Sequence, residues 1–98
     1  MAGSAQVYHG VTAPIFDCVK TTSGVYGTVY KPPDANEGTA TTTEPGKIVL
    51  AFDFAPADQT LTYTLLEKPW WIPESAIWDG IGDTINDCRG RVFAANKQ

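Results

Sequence analysis

The sequence predicts an α+β fold: an antiparallel sheet of four or five strands with one C-terminal amphipathic helix packed on it. Three observations carry this reading. Lys47–Phe54 and Thr60–Leu66 alternate apolar and polar side chains on either side of a short turn. Residues 77–88 place apolar side chains at helical spacing. Before residue 72 the chain is rich in β-branched and aromatic residues, which favour a pleated, half-buried surface. A small, partly closed β-barrel with a terminal helix is the alternative architecture.

Taken in order, Gln6–Thr12 can supply an edge strand. Ile15–Thr22 and Val25–Lys31 read as two strands, with Ser23-Gly24 as a tight turn between them. Gly27 inside the second run suggests a bulge or a close backbone approach. Residues 32–46 hold Pro, Gly and Thr with few apolar anchors, and read as a mobile, solvated loop.

The next hairpin is the clearest element. Ile48, Leu50, Phe52 and Phe54 share one face of its first strand, and Leu61, Tyr63 and Leu65 share one face of its second. Pro56-Ala57-Asp58-Gln59 turns the chain between them. Lys68 and Ile72 each precede proline and are pushed to extended geometry.

A helix then starts at Pro73 or Ser75. Ile77, Trp78, Ile81, Ile85 and Cys88 fall within an arc roughly 100° wide, and Gly90 is expected to stop the helix. Gly80 and Gly82 weaken it by about 1 kcal/mol each against alanine, so tertiary contacts must hold it. Arg91–Ala95 can form a further edge strand.

The chain has 98 residues, enough for a single domain with one core. Its net charge of −4 comes from one segment: Glu74, Asp79, Asp83 and Asp87 lie within residues 74–87, which hold no base. Phosphate backbones demand clustered Lys and Arg, so nucleic acid is excluded as a main partner. No apolar run approaches the ~18–20 residues that span a bilayer, and no membrane partner is expected. No secretory leader is visible at Met1-Ala2-Gly3-Ser4.

No motif names a reaction. His9 is the sole histidine, Ser4, Ser23 and Ser75 sit in no nucleophile-elbow context, and two cysteines with one histidine make a weak zinc set. Gly80-Ile81-Gly82 is followed by Ile85 where a dinucleotide fingerprint needs Gly or Ala. Asp17, Asp53 and Glu67 lie in or beside predicted strands, where solvated or cross-strand charges are the plain reading. Catalytic residues, metal ligands and cofactors are therefore not expected.

What remains is a set of surface features. Trp70 and Trp71, bracketed by Pro69 and Pro73, must point in opposite directions if extended, which leaves one of them exposed. With Tyr26 and Tyr30 from the sheet edge, they suggest a non-enzymatic module that binds a small molecule, a glycan or a protein surface. The bland reading of the tryptophans is a small second core around the helix start. Asp79, Asp83 and Asp87 form an acidic ridge, read as a solvated face or as the contact of an interaction or inhibitor domain. A small hydrolase is the third reading.

Cys18 shares a predicted strand face with Phe16, and Cys88 lies on the apolar arc of the helix. If both faces enter one core, the two cysteines meet in a disulfide that pins the helix to the sheet. A bridged pair implies a secreted or periplasmic protein, and free thiols a cytoplasmic one.

Overall fold

The structure, a computed structural model, describes residues 4–44 and 46–96. The elements are β1 (Ala5–His9), α1 (Ala13–Val25), β2 (Val29–Lys31), β3 (Glu37–Thr42), β4 (Ile48–Ala55), β5 (Thr60–Glu67) and α2 (Glu74–Asn96). The five strands form one open antiparallel sheet in the order β1-β5-β4-β3-β2. The sheet does not close into a barrel, because β1 and β2 are its two edges. Since these edge strands are joined through α1, the helix carries the chain across one face of the sheet. α2 packs on the same face, and its Ile77, Ile85 and Cys88 join Ile15, Phe16 and Val19 of α1 in a single core.

The β4–β5 hairpin has the register that alternation predicts. Leu50, Phe52 and Phe54 are buried opposite Leu65, Tyr63 and Leu61. The intervening Thr62, Thr64 and Ala51 are half-buried on the uncovered face, and Asp53 is exposed there. The turn closes with Asp58 N–H donating to the Ala55 carbonyl at 3.1 Å. β1 pairs with β5, so the predicted first edge strand is present in shortened form.

Residues 15–22 form α1 and not a strand. Pro14 sits in the first turn, where its missing N–H costs nothing. Ile15, Phe16 and Val19 then bury one helical stripe. The expected Ser23-Gly24 hairpin is the C-terminus of this helix. Thr28 N–H donates to the Ser23 carbonyl and Gly27 N–H to the Gly24 carbonyl, both at 3.0 Å. This pairing is a Schellman motif, and Gly27, at φ +93°, occupies its left-handed position. The bulge expected at Gly27 is therefore a helix cap, and β2 shrinks to Val29–Lys31.

Residues 32–46 are likewise not one long loop, because β3 lies within them between β2 and β4. Its inward positions are Gly38 and Ala40, paired with Phe52 and Leu50. The ring of Tyr30 from β2 and that of Phe52 from β4 meet over β3, with centroids 5.1 Å apart. A strand roofed by its neighbours' rings needs small inward residues, so it shows no apolar alternation. A Cβ added at Gly38 would lie 2.2 Å from the Lys31 carbonyl oxygen, so this backbone approach requires glycine.

α2 begins at Glu74 and runs through Gly90 to Asn96, so residues 91–95 are helical and not an edge strand. Arg91 spans one turn to Asp87 at 2.6 Å, and Val92 packs against the core, so the helix is carried past the glycine. A Cβ at Gly90 would meet nothing within 4 Å. Gly90→Ala is therefore expected to stabilise the protein by about 0.5–1 kcal/mol. Urea unfolding would show this as a higher midpoint at unchanged slope; an equal or lower midpoint would contradict it.

Cys18 and Cys88 are bridged, with Cα atoms 5.7 Å apart. Because Cys18 lies on α1, the bond joins the two helices to each other, and not a helix to the sheet. No helix among the described residues is long and apolar enough to cross a membrane.

Candidate functional site

The sheet register brings several chain turns to one end of the molecule. Val29 pairs with Thr41, Thr42 with Ile48 and Val49 with Glu67, so β2 and β4 start where β3 and β5 stop. The C-terminus of α1 and the N-terminus of α2 reach the same end, because each is joined to one of these strands by a short connection. The two helices and the sheet leave a pocket of about 240 Å³ there.

Tyr30, Ala40, Leu50 and Tyr63 line the sheet side of the pocket. Val19 and Ser23 of α1 face Ile77, Gly80 and Ile81 of α2 across it, and Tyr26, Thr28, Thr42 and Ile48 lie around them. Small residues leave the space open: Ala40, Ala76 and Gly80 fill little of the gap between the helices and the sheet. A Cβ at Gly80 would touch nothing within 4 Å. No lining residue is charged.

The polar groups of the lining are hydroxyls, and most are already paired. Thr28 and Thr42 share a 2.7 Å hydrogen bond, and Thr84 donates to the Gly80 carbonyl at 2.9 Å. Deepest is the Tyr30–Tyr63 pair, with hydroxyl oxygens 2.8 Å apart. Two strands separate these residues, so their backbones stand about 14 Å apart and the phenols must lean toward each other over Ala40 and Leu50. Burial pushes the Tyr63 hydroxyl well above the usual tyrosine pKa, and neighbouring Tyr30 reinforces this. Burial also raises Tyr30, opposed by hydrogen bonds from Tyr63 and Ser23. Both phenols therefore stay protonated at neutral pH and keep their hydrogen-bonding capacity.

Of the residues expected to bind a ligand, Tyr26 and Tyr30 come together in this pocket. Tyr26 is 75% exposed and Tyr30 is buried. Trp70 and Trp71 occupy the β5–α2 connection at the same end but do not line the pocket. Trp70 is 89% exposed and Trp71 49%. Trp71 lies against Gly46, where an added Cβ would come within 3.0 Å of its ring. Val25, Val29 and Leu66 are exposed at this end as well, which gives the pocket an apolar surround.

The acidic ridge lies elsewhere. Asp79, Asp83 and Asp87 are exposed along α2, and Asp87 is engaged by Arg91. Among the described residues no group of three or more His, Cys, Asp or Glu could hold a metal ion. His9 ends β1, exposed, and its carbonyl accepts a hydrogen bond from Arg89. Asp17 is on α1 beside Lys20 at 3.6 Å, Asp53 is on the uncovered sheet face, and Glu67 lies 3.9 Å from Lys47. These carboxylates sit on separate elements.

Sequence reasoning missed the part of Tyr63, Ile77 and Ile81, which read simply as core residues. The signal for a hollow was Gly80 beside the apolar arc of the helix, a position that reads as a weak point when taken alone. Comparison with protein-family models, with curated proteins and with solved structures finds no match, so the functional reading rests on this geometry.

Proposed function

We propose that the protein is a binding module that holds a small, predominantly apolar molecule between α1, α2 and the sheet. The observation that carries this reading is an uncharged pocket of about 240 Å³ built by small residues at a sheet–helix junction. A cavity of roughly 150 Å³ already accepts benzene, so one or two rings match the space. Apolar concave sites with a few polar groups are the usual form of small-molecule sites. The Cys18–Cys88 bridge supports a secreted or periplasmic setting, where such a bond persists. A second reading, a glycan or protein surface docked on this end, is favoured by the exposure of Trp70 beside Trp71.

Indole, an uncharged two-ring probe, tests the proposal in an NMR titration of the full chain with its disulfide intact. Saturable shifts are expected at Val19, Tyr30, Ile77 and Ile81. Gly80→Leu should fill the pocket and abolish them without loss of stability, since a helical glycine is replaced by a strong helix former. Unsaturable shifts, or unchanged binding in a correctly folded Gly80→Leu protein, would refute the pocket as the site.

A further inference from the structure

We propose that the ligand is an uncharged ring-bearing alcohol or ketone whose oxygen meets the Tyr30–Tyr63 hydroxyl pair. This deepens the pocket reading above and rests on it. Between them, two phenol hydroxyls offer two protons and four lone pairs, and their mutual bond uses one of each. Ser23 engages Tyr30 further. At least one proton and two lone pairs remain for a ligand oxygen at the sheet side of an otherwise apolar space.

The rest of the lining sets the limits on chemistry. No charged side chain is present, so a carboxylate, phosphate or ammonium would be desolvated without a partner and is rejected. The Thr28–Thr42 and Thr84–Gly80 hydrogen bonds engage the threonine hydroxyls of the lining. The mostly apolar lining favours a ring with few oxygens over a sugar. The size limit is the same one or two rings.

A matched series reads the hydroxyl pair directly: toluene, p-cresol and p-toluate, titrated into the full oxidised chain at neutral pH. The expected result is that p-cresol binds about two- to tenfold more tightly than toluene, the span of one hydrogen bond, and that p-toluate does not bind. The double variant Tyr30→Phe/Tyr63→Phe removes both hydroxyls together, so neither tyrosine is left facing a lost partner, and only the half-buried Ser23 hydroxyl loses a contact. In this variant the ratio of p-cresol to toluene affinity should fall to about one. Equal binding of toluene and p-cresol to the native chain would overturn this inference and leave the apolar pocket standing. The same holds for a preference that survives in the double variant. If toluene and p-cresol both fail to bind, the pocket reading falls with it.

Discussion

Replacing Cys18 and Cys88 by alanine is expected to lower the unfolding free energy by roughly 4 kcal/mol, as the chain-entropy argument gives for a loop of this length. The two residues are 70 apart in sequence, so the bridge removes a large part of the conformational freedom of the unfolded chain. Domains have only about 5–15 kcal/mol of stability, so the loss is a large fraction of the total. The native contribution points the same way. α2 carries Gly80, Gly82 and Gly90, and α1 holds few strong helix formers, so neither helix is stable by propensity. The bond joins them behind the pocket, with the Thr22 hydroxyl against both sulfurs at 3.8 and 3.7 Å. Urea midpoints of the native and double-alanine proteins, both without reductant, provide the check. Coincident midpoints would mean that the helix seam holds without its covalent link.

Phe16→Ala is expected to cost about 3–5 kcal/mol, the range for removing a buried aromatic. Phe16 is 2% exposed and packs against three rings: Phe54 at 4.7 Å, Phe52 at 5.8 Å and Tyr30 at 6.3 Å between centroids. It is where α1 enters the sheet, and the Lys20 ammonium lies 4.6 Å from its ring centroid. Rings drawn from β2 and β4 cannot collapse into the gap without pulling the sheet out of register, which places the cost in the upper part of the range. Calorimetric unfolding should show a Tm lower by 10 °C or more, as about 4–8 °C accompanies each kcal/mol in a domain of this size. A loss under 1 kcal/mol would show that the aromatic cluster does not hold α1 to the sheet.

How much of this was legible in the sequence follows from how each element is buried. β4 and β5 have one covered and one open face, so Leu50, Phe52, Leu61 and Tyr63 alternate with small or polar residues and declare the register. Ile77, Trp78, Ile81, Ile85 and Cys88 likewise show the buried face of α2. α1 was hidden because Val19, Thr21 and Thr22 favour strands locally, while tertiary burial of Ile15, Phe16 and Val19 overrides that preference. Pro14 at its start and Gly27 just past its end were its readable marks. β3 was hidden for the opposite reason: Tyr30 and Phe52 supply the apolar cover, and the strand beneath needs only Gly38 and Ala40. The pocket was legible only at Tyr26 and Tyr30. Its volume depends on what Ala40, Ala76 and Gly80 lack, and missing side chains leave no pattern in a sequence.

The bond between the helices also divides the chain topologically. Residues 18 to 88 form a closed covalent ring that contains β2, β3, β4, β5 and the pocket. A single backbone cut within that ring, in the 32–36 turn for example, adds one water and leaves every piece tethered. β1 lies outside the ring, and of its residues only Tyr8 packs against the core. It is joined to β5 by ladder hydrogen bonds, to α2 by the Tyr8–Trp78 and Arg89–His9 hydrogen bonds, and to the ring covalently only by an uncrosslinked stretch of backbone. A cut at residues 9–10 would therefore leave β1 a separate peptide held by hydrogen bonds and Tyr8 alone, and its departure would bare the edge of β5. That edge is an open hydrogen-bonding template for whatever strand reaches it next.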